Sequence, residues 1–249
     1  MSEAMQVFFE IHTDLPREGP GDAASTRKAL ALLSTLPPQP YVLDIGCGPG
    51  MQTLQLIDLS GGKVVAVDNH RRFLLRLSEA AAFKGVGDRL EVVEADMAAL
   101  PFAEAAFDLV WAEGSAYIIG FENALRTFKA FLKRPGHLAA TELAWTRPNP
   151  PHEPQRFFAG EYPAMQDVEA NLAAVRRAGY RPIGHFVLPE SAWWEHYYVP
   201  MEERLRALRG AYAEDPEALA MVELHEREID LYRKYSDWYG YVFYVMRID

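Results

Sequence analysis

The segment 41-YVLDIGCGPG-50 constrains the fold of this chain more than any other part of the sequence. Its apolar, β-branched first half predicts a strand that is buried in a parallel sheet. Three glycines follow at positions 46, 48 and 50, where they allow a sharp turn and leave no Cβ between a ligand and the main chain. The segment therefore predicts a buried strand that ends in a ligand-binding turn.

Strand and helix patterns alternate along most of the chain. Predicted strands cover residues 41–46, 63–68, 89–94, 107–112, 136–143, 181–187 and 241–247. Predicted helices cover residues 26–36, 50–60, 71–84, 121–133 and 164–178. This alternation is typical of an α/β protein with a parallel sheet and helices on both faces. Segments 201–212 and 217–235 also have helical periodicity, and they lie between the last two predicted strands.

Length, charge and cysteine content narrow the class of protein. The chain of 249 residues is long enough for one α/β domain with a cap. Its net charge of −10, without basic clusters that interleave with aromatics, disfavours a nucleic-acid partner. No apolar stretch has the length of a membrane span and the N-terminus lacks signal-peptide features, so we expect a cytoplasmic protein with no membrane partner. Cys47 is the only cysteine, and no spacing of ligands predicts a metal.

The glycine turn resembles the cofactor loop of class I S-adenosylmethionine-dependent methyltransferases, in which an acidic strand end precedes Gly-x-Gly-x-Gly. In this chain Asp44 is that acid, and the small Cys47 stands between the first two glycines. A dinucleotide site would need Gly-x-Gly-x-x-Gly, but Met51 occupies the sixth position and Pro49 removes a backbone donor. A glycine turn that binds no ligand is the third interpretation.

The resemblance implies a Rossmann-like, mostly parallel sheet of seven strands with an antiparallel last strand, and S-adenosylmethionine as the cofactor. It implies a single domain over residues 1–249. Residues 1–36 would form an N-terminal lid and the first helix. Residues 189–238 would form a helical, aromatic cap that is inserted between the last two strands.

Acidic residues at the ends of the second and third predicted strands suit a nucleoside. The carboxylate of Asp68 has two oxygens, which can accept both hydroxyl groups of a ribose. The resemblance assigns this role to Asp68, places Asn69 beside the adenine, and assigns the adenine amino group and ring to Asp96 and Met97. The alternatives are an exposed acid at a strand end for Asp68 and a helix-capping acid for Asp96.

Three further residues are expected near the methionine part of the cofactor. Glu113 follows the fourth predicted strand, where it could stabilise the sulfonium, bind the amino group or accept a proton; the alternative is an acid in a hinge loop. The segment 17-REGPGD-22 resembles a segment of a bacterial small-molecule branch of the family. In that setting Arg17 and Gly21 would close over the methionine end, with Arg17 binding its carboxylate.

Methyl transfer from a sulfonium is an in-line displacement, so the protein mainly has to position the acceptor and exclude water. His196 is our preferred candidate for a general base and His12 is the other, because a neutral imidazole can accept a proton. Aromatic residues that either line an acceptor pocket or pack the cap are Trp145, Phe157, Phe158, Tyr162, Trp193, Trp194, Tyr197, Tyr198, Trp238 and Tyr239.

The sequence therefore predicts an S-adenosylmethionine-dependent methyltransferase that acts on a small-molecule acceptor. A non-catalytic module that binds S-adenosylmethionine or another nucleotide is one alternative, because an intact cofactor loop does not prove turnover. A protein or RNA methyltransferase is the other. Arsenite methylation would need several thiolates, so the single cysteine argues against it. The sequence leaves a homodimer open.

Overall fold

The computed structural model describes residues 3–249, with side chains from residue 6 onward. Its centre is one sheet, with the strands β1 (Tyr41–Ile45), β2 (Lys63–Asp68), β3 (Leu90–Glu94), β4 (Phe107–Ala112), β5 (Leu132–Trp145), β6 (Gln166–Asp167), β7 (Arg181–Val187) and β8 (Tyr239–Ile248). The order is β3-β2-β1-β4-β5-β8-β7, and the short β6 pairs with β5. Strands β1 to β5 are parallel, whereas β8 is antiparallel to β5 and β7. The predicted fold class is confirmed, with one two-residue strand beyond the seven expected.

Helices surround the sheet. They are α1 (Glu3–His12), α2 (Ala23–Ala31), α3 (Met51–Ser60), α4 (Arg71–Phe83), α5 (Phe121–Lys129), α6 (His152–Glu161), α7 (Val168–Arg177), α8 (Ser191–Trp193), α9 (Val199–Ala211) and α10 (Pro216–Tyr235). A π turn (Trp194–Tyr198) joins α8 to α9. Carboxylates cap several helix starts: Asp22 accepts from the Ser25 N–H and Asp167 from the Ala170 N–H. No helix of the described residues is both long and apolar enough to cross a membrane.

The structure corrects several predicted element boundaries. The helix predicted over 121–133 ends at Lys129, because the chain turns there and enters β5 at Leu132. The helix predicted over 164–178 begins at Val168, since the two residues before it pair with β5 as a strand. Helices α1 and α6 and the helical stretch 191–198 were not predicted.

Alternating side chains of the parallel strands build a core on each face of the sheet. Leu43 and Val65 belong to the core that includes α5 and α7, whereas Val42 and Val64 belong to the core that includes α2 and α3. A third apolar cluster joins α1, α6, α9 and α10 to the start of β8. Helices α8 to α10 lie between β7 and β8, in the position that the sequence indicated. The division into lid, domain and cap stays a prediction.

Candidate functional site

A cavity of about 660 Å³ lies at the carboxyl ends of the central strands. Open α/β sheets bind ligands at this edge, so the cavity lies where the sequence predicted a ligand. We call its first part the strand end; it is lined by Gly46, Gly48, Asp68, Asn69, Asp96, Met97, Gly114 and Ser115. We call its second part the cap end; it is lined by side chains of α1, α6, the π turn, α10 and β8.

The turn after β1 brings backbone rather than side chains to the strand end. Gly46 and Gly48 have φ angles of +71° and +52°, in the left-handed region that favours glycine. A Cβ on Gly46 would lie 2.4 Å from the Cβ of Ser115, so no side chain fits there. Gly50 is needed for another reason, since a Cβ there would lie 2.3 Å from Cδ1 of Leu77. This glycine lets α4 pack against the turn.

Asp68 connects the turn after β1 to the residues that follow β2. Its Oδ2 accepts from the Gly48 N–H at 2.9 Å, and its Oδ1 accepts from the His70 N–H at 2.8 Å. Asp68 and Asn69 both line the cavity, as predicted from the sequence. Each carboxylate oxygen keeps a second acceptor position for a ligand hydroxyl.

The residues predicted to contact adenine lie on the same wall. Asp96 and Met97 line the strand end. One oxygen of Asp96 accepts from the Ala98 N–H at 2.8 Å, so this acid also stabilises its own turn. The structure thus brings together six of the predicted cofactor residues: Gly46, Gly48, Asp68, Asn69, Asp96 and Met97.

Asp44 and Cys47 do not line the cavity. Asp44 is fully buried, and its Oδ2 accepts from the Thr53 hydroxyl at 2.6 Å. Burial raises the pKa of Asp44 to about 7, an effect that the hydrogen bond from Thr53 opposes. Burial also raises the pKa of Cys47, which is therefore a neutral, small residue in the turn. The side chains of Asp44 and Cys47 therefore stabilise the turn without reaching the cavity, and a direct cofactor contact of either side chain is not supported.

Arg17 and Glu113 form a buried ion pair behind the strand end. Glu113 accepts from Arg17 Nη2 with one oxygen and from Trp111 Nε1 at 3.0 Å with the other. Gly21 lies against this pair, because a Cβ there would be 2.3 Å from atoms of both side chains. Glu113 does not line the cavity. Its two oxygens are engaged by protein donors, so the prediction of Glu113 as a proton acceptor is not supported.

Arg17 keeps unused donors. Its Nε and Nη1 are buried and have no hydrogen-bond partner, which is costly for a charged group. The next residues along the chain, Glu18 to Pro20, line the cavity. Arg17 itself does not line the cavity, so its binding of a carboxylate stays a prediction that only these unpartnered donors support.

The two candidate histidines differ in their surroundings. His196 does not line the cavity, and the nearest acid is Glu195 at 3.7 Å on the same turn. His12 lines the cavity and is buried. Its Nδ1 lies 2.9 Å from Oε2 of Glu18, and its Nε2 has no partner. The structure corrects the choice of His196 and favours His12.

The predicted aromatic residues divide into two groups. Those that line the cavity are Phe157, Phe158, Tyr162, Trp193, Tyr197, Tyr198 and Tyr239. Those that pack elsewhere are Trp145, Trp194 and Trp238. The guanidinium groups of Arg233 and Arg147 lie over the rings of Trp194 and Trp238, at 5.0 and 5.8 Å. Residues 3–249 hold no group of three or more metal-binding side chains.

A family model for a methyltransferase domain matches residues 42–136. The fold of the chain is that of the class I methyltransferases. The match runs from β1 into β5 and includes every residue of the strand end. The cap end is built mostly from residues outside that range.

Relatives and solved structures show further similarities to methyltransferases. The trans-aconitate 2-methyltransferase of Paracidovorax citrulli is 33% identical over 160 residues, which are 61% of this chain and 57% of that protein. The chain spans about two fifths to three fifths of the length of such curated relatives. A methyltransferase of Geobacter sulfurreducens in complex with S-adenosyl-L-homocysteine shares the fold, with a TM-score of 0.81 at 18% identity over 98% of each chain.

One structural neighbour has a different activity in its name. The [4+2]-cyclase SpnF has a TM-score of 0.73 at 19% identity, over 98% of this chain and 93% of the cyclase. The fold alone therefore does not decide the reaction, and the argument for function has to rest on the site.

The structure adds cavity residues that the sequence did not reveal. Met221, Leu224, His225 and Glu228 of α10 line the cap end. Their spacing of three, four and seven residues is that of one helical face, which is the signal that could have identified them. The Tyr198 hydroxyl donates to Glu228 at 2.9 Å, and burial raises the pKa of this carboxyl.

Another buried acid lies behind the cap end. Glu142 on β5 accepts from the hydroxyl of Tyr162, and its second oxygen has no partner. Burial raises the pKa of Glu142 to about 7, an effect that the hydrogen bond opposes. Nothing in the alternating pattern of β5 distinguishes this acid from an exposed one.

Proposed function

We propose that the protein transfers a methyl group from S-adenosylmethionine to a small-molecule acceptor. The observation that carries the proposal is the strand end, where a turn without Cβ atoms at Gly46 lies beside the carboxylates of Asp68 and Asp96. The open turn and the two carboxylates can together bind an adenosine with a short, flexible tail. The relatives named for methyl transfer support the proposal.

The residues at the strand end fit S-adenosylmethionine. Asp68 has an unused acceptor position on each oxygen for the ribose hydroxyls, and Asp96 with Met97 offers an acceptor and an apolar surface for adenine. The unpartnered donors of Arg17 suit the carboxylate of the methionine part. When bound, S-adenosylmethionine supplies an electrophilic methyl group on its sulfonium.

The cap end suits an enclosed acceptor. Its walls come from α1, α6, α10 and the start of β8, so a bound acceptor would be surrounded by protein. The whole cavity, at about 660 Å³, lies within the usual range of about 300–1,000 Å³ for small-molecule sites. An enclosed site excludes water from the displacement and disfavours protein or RNA as the acceptor.

His12 is the residue that takes up the proton released by the acceptor. Glu18 orients the imidazole through Nδ1, which leaves the lone pair of Nε2 for a proton from an acceptor in the cavity. His12 is thus the general base and Glu18 is its positioning residue. A cytoplasmic location and the division into lid and cap stay predictions. The absence of a nucleic-acid partner also stays a prediction, which rests on the net charge of −10.

Calorimetry with S-adenosylmethionine and S-adenosylhomocysteine tests the proposal. We expect both to bind, and we expect Asp68→Ala to weaken binding by roughly 1–3 kcal/mol, because buried donors lose a charged acceptor. Glu94→Ala, an exposed acid at the end of β3 outside the cavity, is the matched control and should change nothing. If neither compound binds, the proposal is wrong. Binding without formation of S-adenosylhomocysteine from any metabolite pool would instead indicate the non-catalytic module.

A further inference from the structure

The charges around the cavity are of one sign. Five carboxylates line it, those of Glu18, Asp68, Asp96, Glu161 and Glu228, whereas no lysine or arginine among residues 3–249 does. At the cap end, an acceptor with a carboxylate or phosphate group would meet Glu161 and Glu228, with no lysine or arginine on the lining to compensate. Like charges brought together in a partly dry site cost several kcal/mol. The cavity therefore disfavours anionic acceptors.

Glu228 is one of two acids that line the cap end, and Glu161 of α6 is the other. Glu228 lies on the cap-end face of α10, and one oxygen accepts from the Tyr198 hydroxyl at 2.9 Å. Its side chain is partly accessible, as expected of a group on a cavity wall, yet protein surrounds it closely enough to raise its pKa. His12 lies close to this helix, because its ring centroid is 5.6 Å from that of His225 on α10.

Buried polar atoms at the cap end lack protein partners. Nε2 of His12 and the hydroxyl of Tyr239 have none, although both residues are at least nine-tenths buried and line the cavity. Buried polar groups are almost always hydrogen-bonded, so we expect a polar group of a bound ligand to supply the missing hydrogen bonds of these two atoms. The rings of Tyr197 and Tyr198 lie on the same walls, and aromatic faces attract cations.

We infer that the acceptor is an amine on an apolar body, whose nitrogen binds between Glu228 and His12. The inference rests on the proposed methyl transfer and names its substrate class. The carboxylate binds the incoming ammonium ion, and the aromatic walls bind the apolar body. Neutral acceptors such as alcohols would leave the carboxylate of Glu228 without an ionic partner.

The chemical step balances with the groups that the cavity contains. The ammonium ion first gives one proton to Nε2 of His12, which becomes an imidazolium ion paired with Glu18. The nitrogen lone pair then forms the C–N bond, while the S–C bond breaks and its electron pair stays on sulfur. The products are the N-methylated ammonium ion and S-adenosylhomocysteine, and the imidazolium later returns its proton to water.

A matched set of acceptors tests the inference. Phenylalkyl and cyclohexylalkyl bodies that carry an amine, a hydroxyl or a carboxylate are titrated into the protein saturated with S-adenosylhomocysteine, and their methylation is followed with S-adenosylmethionine. We expect amines to bind at least about tenfold more tightly than the matched carboxylates and alcohols, and to be methylated. Equal or tighter binding of the carboxylates or alcohols, or no binding of any amine, would overturn the inference.

The variant Glu228→Gln separates recognition from folding. It keeps an acceptor for the Tyr198 hydroxyl, so we expect normal affinity for S-adenosylhomocysteine but about a tenfold higher KM for amines. Glu226→Gln on the same helix is the control, because Glu226 pairs with Arg209 and does not line the cavity. An unchanged KM for Glu228→Gln would overturn the inference. Loss of the amine preference with intact S-adenosylmethionine binding leaves the proposed function standing, whereas absent S-adenosylmethionine binding removes both.

Discussion

The two ends of the cavity are built in different ways. The strand end uses backbone turns and residues that directly follow parallel strands, all within the segment from β1 to the residues after β4. The cap end uses side chains from α1, α6 and α10, which lie far apart in the sequence. The comparison teaches that local sequence specifies the cofactor part of the site, whereas tertiary packing specifies the acceptor part.

The two ends also differ in how their polar groups are satisfied. At the strand end both oxygens of Asp68 accept backbone hydrogen bonds, so this wall is ordered before any ligand arrives. At the cap end His12 Nε2 and the Tyr239 hydroxyl have no partner. We therefore expect changes at the strand end to affect cofactor affinity, and changes at the cap end to affect turnover.

The largest expected effect concerns the buried ion pair behind the strand end. Glu113→Gln leaves the charge of Arg17 buried without a counter-ion, so we expect the free energy of unfolding to fall by roughly 3–5 kcal/mol. Asp58→Asn is the control, because it removes an exposed partner of Lys84 and should cost less than about 1 kcal/mol. Urea denaturation measures both. Equal losses for the two variants would show that the buried pair stabilises the fold no more than the exposed pair does.

The next effect concerns the turn at the strand end. Gly46→Ala adds a Cβ that would lie 2.4 Å from Ser115 at a φ of +71°, so we expect affinity for S-adenosylhomocysteine to fall roughly 100-fold. Gly19 also lines the cavity, but a Cβ there meets no atom within 4 Å. Gly19→Ala should therefore bind normally in the same calorimetric titration. Normal binding by Gly46→Ala would mean that the ligand does not approach this turn.

A smaller effect should separate the two histidines. His12→Gln should lower kcat by roughly 10- to 100-fold, because the acceptor loses its base, while affinity for S-adenosylmethionine stays constant. His196→Gln should leave kcat unchanged, since this residue does not line the cavity. Steady-state kinetics with one methylated acceptor checks both variants. A lower kcat for His196→Gln with an unchanged kcat for His12→Gln would instead identify His196 as the general base.

The smallest effect is a pH dependence that both ends share. Asp44 and Glu142 each have a pKa raised by burial to about 7 in the folded protein. The folded state therefore binds more protons than the unfolded state between the usual carboxyl pKa and about 7, and stability falls as the pH rises through this range. Glu142→Gln removes one of these groups and should reduce the fall between pH 5 and pH 8 by roughly 1–2 kcal/mol. Denaturation at both pH values measures it, and an unchanged fall would show that Glu142 does not titrate there.

The sequence was sufficient for the strand end because its chemistry is local. A positive φ needs glycine at 46 and 48, and an acid at the end of β2 reaches the neighbouring turn directly. Glu113 was assigned wrongly for an equally physical reason. It directly follows β4, two residues after Trp111, and its side chain accepts a hydrogen bond from that buried indole instead of lining the cavity.

The cap end could not be predicted because the relevant faces depend on packing. The π turn places Tyr197 and Tyr198 toward the cavity, and it leaves His196 off that face. Helix α1 was missed because its apolar residues gave only a short run without a capping signal. The cavity face of α10 includes His225 and Glu228, and a search for apolar periodicity does not identify polar residues such as these.

A crystal structure with S-adenosylhomocysteine bound tests the central claim most directly. The account predicts that the ribose hydroxyls lie within hydrogen-bond distance of Asp68, that the adenine lies beside Asp96 and Met97, and that the sulfur faces the cap end past Gly46. A nucleoside that binds outside the strand end, or with its sulfur directed away from the cap end, would contradict it.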